Sequence, residues 1–253
     1  VYDGRFVIVN GARFSVCDVG SGPAILFLHG NLSRWQHWGP QLEALASRYR
    51  CIAFDQRGYG ASTPLRGTSL SLMADDTAAL CAALGVEHAY VVGLSMGGAV
   101  AEFLALLHPA LVNGLVTAGP PLLDGSGQAP ELTKEALRPF VLAAFSPAMQ
   151  AAQPALVARV VEECLETDLD TLRHFAPGDM SLYEPAGIAV PTLVAAGELD
   201  LLAPPGPLRG LAEKILGAEF LEIPGAGHWM NLEAPEVFNA AIERFMAAHP
   251  MAR

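Results

Sequence analysis

Gly93-Leu94-Ser95-Met96-Gly97-Gly98 is the stretch whose residue types and spacing speak most directly of chemistry. It follows the apolar run Tyr90-Val91-Val92 and leads into a helical pattern over 99–107. A serine on a sharp strand-to-helix turn projects its Oγ above the sheet as a nucleophile, and such a turn needs small residues two positions to either side. Gly93 and Gly97 meet that need. The helix that begins after Ser95 offers unpaired backbone N–H groups and a positive dipole end where negative charge would develop. One turn thus supplies both a nucleophile and an anion stabiliser, a pairing suited to acyl transfer to water.

A serine can be held this way only if strands and helices alternate around it. Short apolar runs at 24–29, 51–55, 90–94, 115–118, 192–196 and 220–223 have the length and character of buried strands, and helical patterns fill the gaps. Pro40, Ser69 and Pro235 open three of those helices. The alternation predicts a mostly parallel sheet covered by helices on both faces. At the start, 5–10 and 12–19 read as two strands joined at Asn10-Gly11, a hairpin at an antiparallel edge. About seventy residues between the runs ending near 118 and starting at 192 show helical periodicity and no strand. Pro139, Pro147, Pro154 and Pro177 punctuate them, which predicts three or four short helices forming a cap over one end of the sheet. The expected division is a core of residues 1–120 and 189–253 with a cap of 121–188.

The chain of 253 residues is 52% hydrophobic and 16% charged, the composition of one large globular domain. Its formal charge of −11 repels phosphate backbones and anionic lipid, so neither nucleic acid nor membrane is an expected partner. Cys17, Cys51, Cys81 and Cys164 are scattered through apolar stretches without metal-ligand or disulfide spacing, which points to free thiols and a cytoplasmic setting. The first residues carry an acid early and no apolar core with a cleavage site, so no targeting segment is expected. The weakly charged stretch 89–107 contains Gly93, Gly97, Gly98 and Glu102 and reads as strand, turn and helix rather than a membrane span. Neither a dinucleotide or phosphate glycine loop nor a zinc signature is present, so neither cofactor nor metal is called for.

With the serine turn in this setting, the sequence resembles the α/β-hydrolase superfamily, from the hairpin at Arg5 to the last helix near Ala247. The resemblance implies an eight-stranded, mostly parallel sheet with the cap inserted after the sixth strand. It also implies an acid after a later strand and a histidine near the C-terminus. Asp200, in Ala196-Gly197-Glu198-Leu199-Asp200, matches the acid; Glu198 and Asp124 are its competitors. His228, in Pro224-Gly225-Ala226-Gly227-His228-Trp229, matches the histidine. In those roles His228 takes the proton of Ser95 and Asp200 holds the imidazole in the right tautomer. The loop Leu28-His29-Gly30-Asn31-Leu32 resembles the family's His-Gly-x loop, which implies that the backbone N–H groups of Asn31 and Met96 form the oxyanion hole.

The implied function is hydrolysis of a carboxylic ester or lactone of a small, largely apolar molecule through an acyl-enzyme on Ser95. The length and compact cap resemble enol-lactonases and small-molecule esterases. Trp35, Phe140, Phe145, Met149, Phe175 and Trp229 are the candidate substrate contacts, although core packing uses the same residue types. Arg138, Arg159 and Arg173 are positions able to pair with a substrate carboxylate, and exposure on amphipathic helices is the competing reading. His37 and His174 are candidates for substrate contact with a surface role favoured, and His29 reads as turn-stabilising. Asp55 to Ser62 reads as a structural turn, and the acids at 162–170 as the solvated face of a cap helix. A carbon–carbon bond hydrolase, a non-hydrolytic lyase, a perhydrolase and a ligand receptor are the rival functions; the expected assembly is a monomer or homodimer.

Overall fold

The computed structural model describes residues 2–63, 68–123, 132–173 and 180–251. Its centre is an eight-stranded sheet in the order β1-β2-β4-β3-β5-β6-β7-β8. The strands are β1 (Arg5–Val9), β2 (Ala12–Val19), β3 (Ala24–Leu28), β4 (Arg50–Phe54), β5 (Ala89–Leu94), β6 (Val112–Ala118), β7 (Thr192–Gly197) and β8 (Glu219–Ile223). The hairpin β1–β2 and the β2–β4 pair are antiparallel, and all later pairs are parallel. Asn10 and Gly11 both have positive φ, 48° and 68°, the backbone that a two-residue hairpin turn requires. This is the mixed, mostly parallel sheet expected, with strand ends displaced by up to three residues.

Side chains alternate between two apolar layers because successive strand residues point to opposite faces. Ile25, Phe27 and Val92 face one layer with Trp38, Leu42, Phe238 and Ile242. That side carries α1 (Gly39–Leu45) and α10 (Pro235–Ala248). Leu26, Leu28 and Val91 face the other with Met73, Leu80, Phe103 and Leu208. That side carries α2 (Leu70–Ala83), α3 (Met96–Leu107) and α8 (Pro205–Lys214). Ser69 caps α2 by accepting the N–H of Leu72, and Pro235 opens α10 where a missing N–H costs nothing.

Between β6 and β7 lie α4 (Lys134–Ala143), α5 (Pro147–Ala152), α6 (Pro154–Leu165) and α7 (Leu169–Arg173). Pro147 and Pro154 sit at first helical positions, where a missing N–H costs nothing, and Pro139 lies inside α4, while Pro177 lies outside the described residues. Leu137, Val141, Val157 and Val160 belong to the same apolar cluster as the α1/α10 face of the sheet, so these helices are packed down rather than standing apart. Asp124, His174 and Phe175 lie outside the described residues. No helix among the described residues is long and apolar enough to cross a membrane.

One buried carboxyl stands out in this scaffold. Glu102, on α3, is fully enclosed and accepts hydrogen bonds from Thr117 Oγ1 at 2.7 Å and Tyr183 Oη at 2.6 Å. Burial raises its pKa to about 7 against the lowering effect of the two hydroxyls. The folded state therefore holds this proton more tightly than the unfolded chain. The contribution is fully present below the ordinary carboxylate range and is lost as pH rises through about 7. Glu102→Gln is expected to abolish that loss: its urea midpoint should match the parent at pH 5 and exceed it at pH 8, by roughly 2 kcal/mol in stability.

Candidate active site

Ser95 occupies the turn between β5 and α3 with φ 55° and ψ −124°, a conformation that side-chain-bearing residues rarely adopt. Three backbone hydrogen bonds hold it there. Its N–H donates to Ala118 O at 2.8 Å, and its carbonyl accepts from Gly98 at 2.8 Å and Ala99 at 3.2 Å. The flanking glycines are steric necessities: a Cβ on Gly93 would lie 2.1 Å from Gly97 O, and one on Gly97 would lie 2.0 Å from Leu28 O.

Asp200 and His228 arrive from the ends of β7 and β8. Asp200 Oδ2 accepts from His228 Nδ1 at 2.7 Å, while Oδ1 accepts the N–H groups of Leu202 and Ala203 at 2.8 and 2.9 Å. With one oxygen on two backbone N–H groups and the other on the ring, the buried carboxylate fixes the imidazole so that Nε2 is the nitrogen left for other work. Gly119, at the end of β6, leaves room for the pair, since a Cβ there would stand 3.2 Å from both Asp200 Oδ2 and His228 Nδ1. Glu198, the nearby competitor, is exposed and accepts the Gly225 N–H at 2.7 Å, so it supports the His228 loop rather than the ring. Ser95 and His228 line one cavity of about 530 Å³ together with Asn31, Met96 and Trp229.

The loop carrying Asn31 is brought against the serine by Gly30, whose added Cβ would meet Ser95 Cβ at 3.0 Å. Asn31 spends its side-chain oxygen on the Leu32 N–H (2.9 Å) and on Tyr59 Oη (2.7 Å), and the same hydroxyl lies 3.5 Å from Met96 Sδ. Tyr59 therefore ties together the two residues whose backbone N–H groups are the candidate anion donors. The sequence marks Tyr59 only as part of a structural turn; the fold brings it to this point. Beneath it, buried His29 donates from Nδ1 to Gly30 O and accepts the Gln56 N–H at Nε2, and burial drives its pKa down to about 3. It is a neutral loop brace, as its turn-stabilising reading required.

Residues 23–177 match the model of the alpha/beta hydrolase fold family. The chain belongs to the α/β-hydrolase family. It is 32% identical to a Mycobacterium tuberculosis protein named as a non-heme bromoperoxidase, with 91% of this chain and 96% of that one covered. It is 30% identical to 3-oxoadipate enol-lactonase 2 of Acinetobacter baylyi, covering 95% of this chain and 93% of that one. Among solved structures, Est816, described as an N-acyl homoserine lactone degrading enzyme, superimposes with a TM-score of 0.87 at 29% identity, over 95% of this chain and all of that one.

In this α/β-hydrolase the wall of the cavity opposite the sheet comes from the helices between β6 and β7, through Phe140, Val141, Ala144 and Cys164. Loop residues Leu201 and Leu202 complete an apolar lining, and among the described residues no Asp, Glu, Lys or Arg lines it. Phe140 and Trp229 of the proposed substrate contacts are there; Trp35, Phe145 and Met149 are not. Trp35 is buried on the sheet, its indole donating to Ser15 Oγ and its backbone N–H to Asp55. Phe145 stacks behind Trp229 with centroids 5.5 Å apart, and Met149 packs on the shared apolar cluster. Arg138 and Arg173 pair with Glu162 and Asp170 on the outer surface, and Arg159 is exposed.

His37 is likewise placed away from the cavity. Its Nδ1 is 2.8 Å from Ser33 Oγ and its Nε2 2.9 Å from Glu163 Oε2 on α6. A carboxylate only accepts, so Nε2 carries the proton and Nδ1 accepts the serine hydroxyl. Burial lowers the pKa of His37, and the neutral ring joins the core to the helical segment.

A second tie runs through Glu233, at the end of the short helix α9 (Met230–Glu233), a residue the sequence does not single out. Its Oε2 accepts the N–H of Gly227, just before His228, at 3.1 Å and the N–H of Ser146, between α4 and α5, at 3.0 Å. The His228 N–H itself donates to Ala144 O at 2.8 Å. Removing this carboxylate strands two N–H groups at a packed junction. Glu233→Ala should lower stability by about 2 kcal/mol, whereas Glu233→Gln, whose amide oxygen can take both donors, should cost less than about 1 kcal/mol. Urea denaturation of the two variants measures the difference.

Proposed function

We propose that this enzyme hydrolyses a carboxylic ester or lactone of a small, uncharged, largely apolar molecule through an acyl-enzyme on Ser95. The observation that carries the proposal is the pairing of His228 with Asp200 at 2.7 Å in the cavity that Ser95 also lines. As substrate seats, Ser95 Oγ comes within hydrogen-bond reach of His228 Nε2, passes it the hydroxyl proton and attacks the carbonyl. The imidazolium is stabilised by Asp200 and returns the proton to the leaving oxygen. Water then repeats the sequence on the acyl-enzyme. Backbone N–H groups of Met96 and Asn31 receive the tetrahedral oxygen, each contributing about 3 kcal/mol to the transition state. No cofactor takes part in these steps.

The lining supports the substrate class. A carboxylate-bearing substrate needs a cation in the wall, and Arg138, Arg159 and Arg173 are not lining residues. A carbon–carbon bond hydrolase needs a polar group to hold an enolate, whereas the helical segment contributes Phe140, Val141, Ala144 and Cys164. In this reading residues 121–188 act as the cap that shapes the acyl pocket and excludes water. Four free, buried cysteines support a cytoplasmic setting. The likeness to the mycobacterial bromoperoxidase favours perhydrolysis as the second reading, with peroxide replacing water on the same acyl-enzyme.

A stopped-flow assay of p-nitrophenyl acetate tests the proposal. The parent should show a stoichiometric burst and turnover, and Ser95→Ala should lose the burst and at least about 10³-fold in kcat. A serine-directed phosphonate should label the parent alone. Equal turnover by both proteins with no labelling would overturn the acyl-enzyme, and peroxide-dependent bromination outpacing ester hydrolysis would select the second reading.

A further inference from the structure

Tyr59 is buried in the turn 55–62, 1% exposed, and is not among the residues that line the cavity. The turn holds it firmly. Its N–H donates to Gln56 O at 2.9 Å and its carbonyl accepts from Ser62 at 3.0 Å, while the buried Asp55 carboxylate takes the N–H groups of Trp35 and Ala61. His29 stands edge-on to the ring with centroids 5.4 Å apart. A phenol has one hydrogen, and the nearer acceptor, Asn31 Oδ1 at 2.7 Å, takes it; Met96 Sδ packs against the same oxygen at 3.5 Å. Burial pushes the Tyr59 pKa up, so the hydroxyl keeps that proton.

Asn31 needs that support. Its Oδ1 also accepts the N–H of Leu32, whose φ of 58° lies in the left-handed region that a residue with a side chain enters only when its neighbours hold it there. The loop that carries the Asn31 N–H is thus strained at Leu32 and fastened through the Asn31 amide oxygen, and Tyr59 grips that oxygen from a rigid turn. On the other side of the gap, Met96 is the first residue of α3, so its N–H has no acceptor within the helix. We propose that Tyr59 is a positioning residue for the oxyanion hole: its hydroxyl sets the distance between the Asn31 and Met96 N–H groups by holding both side chains on one oxygen atom. The proposal deepens the reading of Ser95 as nucleophile, with those two N–H groups as its anion donors, and rests on it. Such donors act where charge develops in the transition state, so a small displacement slows the chemistry and leaves ground-state binding in an apolar cavity unchanged. Tyr59 itself moves no proton.

Tyr59→Phe keeps the ring beside His29 and removes the hydroxyl. In single-turnover acylation by p-nitrophenyl butanoate, its acylation rate constant should fall about tenfold while the substrate dissociation constant stays within twofold of the parent. A trifluoromethyl ketone bonds through its carbonyl carbon to Ser95 Oγ, the serine proton passes to His228, and the ketone oxygen becomes an alkoxide in the hole. Its affinity should fall about tenfold in the same variant. Asn31→Ala keeps the backbone N–H and reads the bond from its other end, so the role stays testable even where Tyr59→Phe does not fold. It should slow acylation at least tenfold at an unchanged dissociation constant. Adding Tyr59→Phe to it should change the rate by less than twofold, as two side chains acting through one bond require. Acylation within twofold of the parent in either single variant, weakened substrate binding equal to the loss for the ketone, or losses that multiply in the double variant would overturn the positioning role. If phosphonate does not label Ser95 in the parent, the acyl-enzyme reading has failed and the role of Tyr59 falls with it; intact labelling with any of those three results condemns the role of Tyr59 alone.

Discussion

The close approach of backbone to backbone at Ser95 is the constraint on which the rest of the structure depends. A non-glycine residue at φ 55° costs of order 1–3 kcal/mol, and it persists only where neighbours over-determine it. Here the ends of β3, β5 and β6 do so. Gly97 touches the end of β3 at Leu28 O, Gly93 touches Gly97, and Ala118 receives the Ser95 N–H. The strand order places these three ends side by side, with β5 between β3 and β6. The sheet's topology and the serine's exposure are thus one fact seen at two scales.

The helical segment lines the cavity that Ser95 also lines, and it is tied to the sheet at points that also hold the His228 loop. Glu233 and Ala144 O hold the His228 loop to the junction around Ser146. His37 and Arg34 hold the other end, to Glu163 and Glu166 on and after α6. Apart from the exposed Arg34–Glu166 pair, these ties are short, partly buried polar contacts beside an apolar cluster, so their loss is costly and their geometry is specific. A helical segment anchored through the His228 loop cannot shift without disturbing the imidazole. Shape of the cavity and orientation of His228 are therefore set by shared bonds.

Much of this was legible in residue order because the signals were local. The Asn10-Gly11 hairpin, the glycines around Ser95, the apolar runs of the central strands and the prolines opening α5 and α6 each act over a few residues. Strand ends drifted because pairing with a neighbour, not composition, ends a strand: β6 begins at Val112, three residues before its continuous apolar run, where the ladder to β5 starts. The contacts that escaped the sequence reading are long-range. Glu233 bridges to a residue 87 positions away, Tyr59 to Asn31 and Met96, and Glu102 to Tyr183 across 81 positions. Nothing in the local pattern marks which glutamate will be buried. The same limit applies to the aromatic residues: Phe140 lies on α4 and Phe145 just past its end, and only the packing of the seam decides that one meets the cavity while the other backs Trp229.

That division has a chemical consequence. An aromatic ring supported from behind by Phe145 and edge-on by His37 is rigid, so the stretch of cavity wall that Trp229 forms has its shape before a ligand arrives. That wall residue is the chain neighbour of His228, and both stand on the loop that Glu233 clamps through Gly227. A change that loosens this loop should therefore disturb the wall and the orientation of the imidazole together.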